Sequence, residues 1–238
     1  PSVEIPLVGS YDVLITEGTV AGLELALQLA EGGRKVACVS AGTSFPYEIV
    51  TSMRGWVPGT GDLAELTGRM GELINTTLKP DGRVHLGQVS EATEDLLIDS
   101  GVSFFYNARP IAAIQSGSRP VGIAVGGKFG MAAIAATSIV DTTQTARIAR
   151  SLGMSFAKRT AASGRVSLVL HCRDTPPASQ AQSGEGWHLE ITPPYAELSI
   201  VWNGDVSHEL ARPRAIAALQ DAMCAGEDSD LQTCLARL

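Results

Sequence analysis

The sequence predicts an α/β protein that begins with a β-strand, an α-helix and a second β-strand. Tyr11–Thr16 is an apolar run suited to a buried parallel strand. Ala21–Glu31 follows, with Leu23 and Leu27 at helical spacing, and Lys35–Ser40 is a second apolar run. Since crossovers between parallel strands are almost always right-handed, we expect a right-handed βαβ unit.

The turn between the first strand and the helix departs from the dinucleotide-binding pattern. In the fingerprint G-x-G-x-x-G, the glycines allow a tight turn, close backbone approach to the pyrophosphate, and packing of helix on strand. The three places here hold Glu17, Thr19 and Gly22, with Gly18 between the first two. Glu17 would place a negative charge where a diphosphate meets the helix N-terminus. Ser40 stands where an Asp or Glu would bind the ribose.

The chain resembles the FAD-dependent oxidoreductases of the two-dinucleotide-binding-domain class. After the βαβ unit, SFPYEIVTSMRGWVPG is similar to the family's loop along the flavin. Ala92–Ile114 resembles its helix followed by a strand, and Val121–Gly153 resembles its β-meander leading to a V-I-D-A-T-G-D signature. The likeness covers Tyr11–Phe156 and implies a Rossmann-like FAD/NAD(P)-binding fold with a β-meander insertion.

Beyond Gly153 the sequence predicts a further set of strands, and the resemblance implies that they form a partial antiparallel second domain. Gly164–Cys172, Gly186–Ile191 and Ala196–Asn203 have the composition of strands. The intervening DTPPASQAQSGEG is rich in Pro, Ser, Gln and Gly, which is typical of an exposed loop or hairpin end. We therefore expect a dinucleotide-binding-type domain at residues 1–160 and a partial substrate-type domain, with antiparallel strands and terminal helices, at 161–238.

Further departures fall where the resembling family contacts flavin. Tyr47 and Glu48 stand where that family has two glycines, and Gln144 and Thr145 replace Gly and Asp of the late signature. The motif is therefore degenerate, and we expect FAD, the cofactor the resemblance implies, to be lost from the isolated chain. No metal site and no catalytic residue is predicted. The residues expected to line the cofactor crevice are Gly18, Gly22, Ser40, Arg54, Asp141 and Thr142.

Composition narrows the possible partners. The chain has 238 residues, 45% of them hydrophobic, and a formal net charge of -7. That charge argues against nucleic acid or an anionic membrane surface as the main partner. No run approaches the roughly 20 apolar residues of a membrane span. The four cysteines fall in no metal spacing, and reduced thiols in a cytoplasmic protein are expected.

The C-terminal region suggests an oligomer. ARPRAIAALQDAMCAG and SDLQTCLARL are both predicted to be helical, and the second carries an apolar stripe. In the resembling family the chain would continue and return to the first domain, so we expect a second protein subunit, such as a related flavoprotein chain. The stripe packing on its own domain is the alternative.

Three functions remain open at this point. The first is a non-catalytic or partner-dependent subunit of a flavoprotein assembly. The second is an active FAD-dependent oxidoreductase with an atypical pocket, in which the flavin carries the redox chemistry. The third is a module that binds another nucleotide or a small metabolite at the strand ends.

Overall fold

A computed structural model describes residues 4–52, 55, 67–79, 83–156, 163–171, 180–184, 187–192, 195–203 and 217. The chain divides into two compact units, Pro1–Phe156 and Ala157–Leu238. No helix among the described residues is long and apolar enough to cross a membrane.

The first unit begins with the predicted βαβ arrangement. Strand β1 covers Leu7–Ile15, helix α1 covers Val20–Glu31 and strand β2 covers Val36–Val39. The two strands are parallel, with Val13 opposite Val36 and Ile15 opposite Cys38. The apolar positions of α1 face the sheet, since Leu23 and Leu27 are fully buried. The sequence prediction of this unit is therefore confirmed.

A six-stranded mixed sheet organises the first unit. After β3 (Ser103–Phe105), the strands β4 (Arg109–Ser116), β5 (Arg119–Gly127) and β6 (Gly130–Val140) form an antiparallel meander. Its last strand pairs parallel with β1, so the order is β3-β2-β1-β6-β5-β4. This arrangement confirms the predicted Rossmann-like fold with a β-meander insertion.

The described residues of the first unit also include three further helices and one π-helical turn. The π segment, Tyr47–Thr51, follows β2, and helices α2 (Gly68–Thr77) and α3 (Leu86–Asp99) come before β3. Helix α4, Arg147–Ser151, follows the meander. The Ser151 hydroxyl accepts a hydrogen bond from the Ala113 N–H at 2.9 Å, which satisfies a donor on the outermost strand β4.

The core of the first unit lies on both faces of its sheet. One cluster packs β1 and β2 against α1 and α3 through Val13, Ile15, Leu27 and Leu97. The other packs the opposite face of β1 and β2 against the meander and α4; its buried members include Leu14, Val39, Ile134 and Ile148. A third, smaller cluster lies under the π segment and contains Ile49, Ile74, Val84 and Val89. Strands β1 and β2 are thus packed on both faces.

The second unit contains a four-stranded antiparallel sheet in the order β7-β10-β9-β8. Its strands are β7 (Ser163–His171), β8 (Gln180–Gly184), β9 (Trp187–Thr192) and β10 (Tyr195–Asn203). The predicted strands and their antiparallel pairing are confirmed. The prediction of a loop is wrong at Gln180–Gly184, which forms strand β8. This segment has little β propensity of its own, and backbone pairing with β9 at the sheet edge gives it an extended structure.

Two histidines of the second unit, His171 and His188, lie apart along this sheet. His171 is opposite Tyr195 and His188 is opposite Ser199, on the two strands that flank β10. Four residues of β-strand separate these positions by roughly 13 Å. The register therefore does not place these two histidines side by side. The predicted terminal helices lie outside the described residues.

Candidate functional site

The candidate site lies where the carboxyl ends of β1 and β2 meet the start of α1. Open α/β sheets bind ligands in the crevice beyond their strand ends. In this chain the crevice is bordered by the turn 16–19, by Ser40 after β2, by the π segment, and by the residues that follow β6. Hydrogen bonds join these segments at this edge of the sheet.

Thr19 caps the N-terminus of helix α1, the helix end that would bind phosphate in a dinucleotide-binding motif. Its side-chain oxygen accepts a hydrogen bond from the Gly22 N–H at 3.0 Å, and its backbone oxygen accepts from the Leu23 N–H at 2.8 Å. Threonine is a favoured N-cap because its oxygen satisfies a helix N–H that has no partner within the helix. A Cβ on Gly22 would lie 3.0 Å from the Glu17 carbonyl oxygen and from Ile15 Cγ2, so helix and strand pack closely here.

Glu48 supplies a carboxylate to the same helix end. The Val20 N–H, the first of α1, donates to Oε2 of Glu48 at 2.9 Å. A carboxylate at a helix N-terminus is stabilised by the partial positive charge of the N–H groups, as a phosphate would be. Most of the Glu48 residue is exposed to solvent, but its carboxyl end is buried against the helix. This burial raises the pKa of the carboxyl group. Three of the first four helix N–H groups therefore have partners within the chain.

Glu17 places a second acidic group beside this helix end. The residue is only 6% exposed, and burial raises its pKa against the opposing effect of hydrogen bonds from Ser40 and from the Ala41 and Gly18 N–H groups. The charge of Glu48 raises the pKa further. Among the described residues, Oε1 of Glu17 has no hydrogen-bond partner. The neutral form of this carboxyl is thus favoured more strongly than in water.

Ser40 is turned into the protein. The residue is fully buried, its hydroxyl accepts from the Gly42 N–H at 3.0 Å, and its N–H donates to the Phe105 carbonyl at 2.9 Å. The hydroxyl also hydrogen-bonds the Glu17 carboxyl. Ser40 therefore fixes the loop after β2 and the Glu17 side chain.

The segment before the π turn covers the first turn of the motif. A Cβ on Gly18 would lie 2.0 Å from Cε1 of Phe45, and the Gly18 carbonyl accepts from the Tyr47 N–H at 2.8 Å. The Phe45 ring is fully buried against Phe104 and Tyr106, with ring centroids 6.0 and 4.8 Å away. An aromatic side chain thus occupies the space above the turn.

Asp141 and Thr142 join the end of β6 to the turn after β1. Thr142 Oγ1 accepts from the Glu17 N–H at 2.8 Å and lies 2.7 Å from the Glu17 carbonyl, to which it donates. Asp141 accepts from the hydroxyls of Thr16 and Thr143 and from the Ala149 N–H, at 3.2, 2.6 and 2.9 Å. Burial opposes ionisation of Asp141, but these hydrogen bonds together lower its pKa.

Five of the six predicted site residues come together at this position. Gly18, Gly22, Ser40, Asp141 and Thr142 all lie at the strand ends, whereas Arg54 lies outside the described residues. Their polar atoms bind neighbouring residues of the chain: Ser40 and Thr142 bind Glu17, and Asp141 binds Thr16. Phe45, which covers Gly18, was not among the predicted residues, and no spacing signal in the sequence would have identified it. Within the described part of the chain, no group of three or more His, Cys, Asp and Glu side chains is placed to hold a metal ion.

Solved flavoprotein structures share this fold. A geranylgeranyl bacteriochlorophyll reductase-like protein from Thermoplasma acidophilum is similar over 90% of this chain, with 12% identity and a TM-score of 0.56. The anhydrotetracycline hydroxylase from Streptomyces rimosus matches 88% with 14% identity and a TM-score of 0.57. A myxobacterial chondrochloren halogenase, a variant of the FAD-dependent halogenases, matches 90% with 16% identity and a TM-score of 0.56.

The similarity is one of fold. The chain covers 62%, 48% and 57% of these three proteins, which is less than two thirds of each. No protein-family model matches the sequence, and no curated protein matches it. A mixed α/β flavoprotein fold is therefore established, and function has to be argued from the residues of the crevice.

Proposed function

We propose that this chain keeps a flavoprotein scaffold whose dinucleotide site is occupied by its own side chains, and that it serves as a non-catalytic or partner-dependent subunit of a flavoprotein assembly. The hydrogen bond from the Val20 N–H to Glu48 carries this proposal. In a dinucleotide-binding protein the corresponding helix end receives the pyrophosphate. A carboxylate already bound there would both fill the position and repel a second anion.

The surrounding residues support the same proposal. Glu17 adds a second acidic group beside the helix, and Phe45 fills the space above Gly18. Ser40, at the place of the ribose-binding acid, is fully buried and directed to Glu17 and Gly42. In this arrangement the residues do not fit an FAD diphosphate, so we assign no catalytic step to a flavin.

Two alternatives stay open. The fold favours an active FAD-dependent oxidoreductase, because one protein with a similar fold, the glycerol-3-phosphate dehydrogenase from Bacillus halodurans, was solved with FAD, at 13% identity and a TM-score of 0.52. A module that binds another nucleotide or a small metabolite is the other alternative, since open α/β sheets generally bind their ligands beyond the strand ends. The cytoplasmic location and the identity of the partner as a related flavoprotein chain are predictions from the sequence.

The visible absorption spectrum of the natively purified protein tests the proposal, with the native mass of the assembly measured on the same sample. We expect no flavin bands from the isolated chain and a mass larger than one chain, with the partner identified by peptide mass spectrometry. Flavin bands stoichiometric with the isolated chain would overturn the proposal in favour of the oxidoreductase. Thermal stabilisation by a non-flavin nucleotide would instead favour the third function.

A further inference from the structure

The β-meander of the first unit has one packed face and one face with large exposed side chains. Ile123, Val125 and Ile134 lie on the packed face, where they belong to the buried cluster shared with β1 and β2. Successive side chains of a strand point to opposite faces of the sheet, so the residues between these positions lie on the other face. Two large apolar residues remain in solvent there, since Leu7 of β1 is 63% exposed and Met131 of β6 is 48% exposed.

The strand register places these apolar residues on one continuous surface. Leu7 is opposite Ala133, and Ala133 is opposite Ala124. Met131, two residues before Ala133, is opposite Gly126, and a Cβ built on Gly126 would lie 2.8 Å from Cδ1 of Ile111. Small residues thus separate three large ones, which leaves space for the side chains of a second molecule. We call this surface the outer face; it consists of Leu7, Ile111, Ala124, Gly126, Met131 and Ala133.

The border of the outer face is basic, although the chain as a whole is acidic. Residues 100–140 contain no Asp or Glu, so all 25 acidic residues lie outside this stretch, which holds Arg109, Arg119 and Lys128. All three of these basic residues are exposed. Arg109 is opposite Gly126 on the outermost strand β4, and Lys128 lies in the turn between β5 and β6. The outer face therefore carries positive charge in a chain with a formal net charge of -7.

This charge distinguishes between possible partners of the outer face. If the outer faces of two copies met, Arg109, Arg119 and Lys128 of each copy would outnumber the carboxylate of Glu4, three residues before Leu7. Like charges brought together oppose such a symmetric contact. An anionic membrane would attract the meander, but it would repel the remainder of the chain, which holds every acidic residue. A protein surface with local negative charge satisfies the basic border without this cost.

We propose that the outer face is the docking surface for a different protein chain, which presents apolar side chains surrounded by Asp and Glu carboxylates. The apolar side chains fill the space over Ala124, Gly126 and Ala133, and the carboxylates pair with Arg109 and Lys128. An apolar centre with a charged rim is the usual anatomy of a specific protein interface. This inference rests on the proposed function, because it names the surface through which the partner-dependent subunit binds its partner.

Carbodiimide cross-linking of the natively purified assembly tests this docking surface. The reagent joins a lysine amine directly to a carboxylate in contact with it. We expect a link from Lys128 to an Asp or Glu of another chain, identified by peptide mass spectrometry. Lys128→Arg keeps the charge, so it should lose this link while the mass of the native assembly stays that of wild type.

Substitutions on the outer face test its contribution to affinity, measured as the dissociation constant of the assembly on dilution. Met131→Glu should weaken association at least about tenfold, because it places an acid at the apolar centre and opposite the partner's carboxylates. Lys128→Glu should weaken association as well and reduce its dependence on salt. The matched control is Ile98→Glu, which should leave the constant unchanged. Ile98 is 61% exposed on α3, and α3 packs on the face of β1 and β2 away from the meander.

The docking surface is overturned if folded Met131→Glu and Lys128→Glu associate as tightly as wild type, or if Ile98→Glu weakens association equally. It is also overturned if Lys128 is linked only to carboxylates of this same chain or of a second copy. Binding of wild type to vesicles of phosphatidylcholine and phosphatidylserine, abolished by Met131→Glu, would assign the face to a membrane instead. If Met131→Glu fails to fold, Lys128→Glu decides. A wild type that purifies as a single chain would refute the proposed function, whereas an assembly insensitive to both variants would refute the docking surface alone.

Discussion

The ring of Phe45 lies so close to Gly18 that a Cβ built on Gly18 would be 2.0 Å from Cε1 and 2.1 Å from Cδ1 of that ring. Gly18→Ala should therefore displace a fully buried aromatic side chain and lower the free energy of unfolding by about 1 to 3 kcal/mol. Urea unfolding followed by circular dichroism measures the change.

The same contact predicts coupling between the two positions. Phe45→Ala alone should cost about 3 to 5 kcal/mol, because a large buried side chain is removed. In the double variant the Gly18→Ala change should add little, since its Cβ then meets open space. Additive effects of the two substitutions would show that Phe45 does not cover Gly18.

Substitution of Gly22 should affect stability differently from substitution of Gly87, a glycine in another helix. Gly22→Ala brings a Cβ within 3.0 Å of a backbone carbonyl and of two side chains, whereas Gly87→Ala in α3 meets only the His85 ring, at 3.3 Å. Gly87→Ala should stabilise the protein by up to about 1 kcal/mol through helix propensity. Gly22→Ala should lose that gain, and Gly22→Val should destabilise by about 1 to 3 kcal/mol. Equal stability of Gly22→Val and wild type in thermal unfolding would refute the close packing of α1 on β1.

Because of Glu17, we expect the protein to lose stability as pH rises. Its pKa in the folded protein is raised above the ordinary value of 4.5, so its contribution is fully present below pH 4.5 and is lost as pH rises through the folded pKa. Glu17→Gln should remove this slope and be more stable than wild type at pH 8, as measured by urea unfolding across pH.

The matched control for Glu17 is Glu91→Gln, which neutralises an exposed acid. Two neighbouring groups also titrate in this region. Glu48 should add to the Glu17 slope in the same direction, and Asp141, whose pKa is lowered, acts in the opposite direction at more acid pH. If Glu17→Gln kept the wild-type dependence between pH 4.5 and 8, Glu17 would not be the group responsible.

Because of Asp141, we expect the free energy of unfolding to fall at acid pH. Its folded pKa is below the ordinary 3.8, so its contribution is present above that value and is lost as pH falls through the folded pKa. Asp141→Asn should cost about 1 to 3 kcal/mol at pH 7, because an amide cannot accept all the bonds from Thr16, Thr143 and Ala149. Asp99→Asn, at an exposed position, should change little. A similar loss in both variants would argue against the network.

The sequence by itself determined the βαβ unit and the strands β7, β9 and β10, whereas the meander and the antiparallel pairing followed from its resemblance to the FAD-dependent oxidoreductases. Alternation and helical spacing of apolar residues decide which face of a segment is buried, and this information is local. Local composition also explains the wrong prediction for β8. Gln180–Gly184 has little intrinsic strand preference, and pairing with β9 makes it a strand.

The sequence also located the departures from the dinucleotide motif, but the tertiary structure decided what those residues do. Glu48 is 28 residues from Val20 along the chain, and Thr142 is 125 residues from Glu17. Neither partner can be read from spacing, because each contact depends on how the sheet brings the two segments together. The sequence thus showed that Glu17 and Glu48 stand where the resembling family has glycines. Only the packed structure showed that the Glu17 carboxyl lies in the interior and that the Glu48 carboxylate binds a helix N–H.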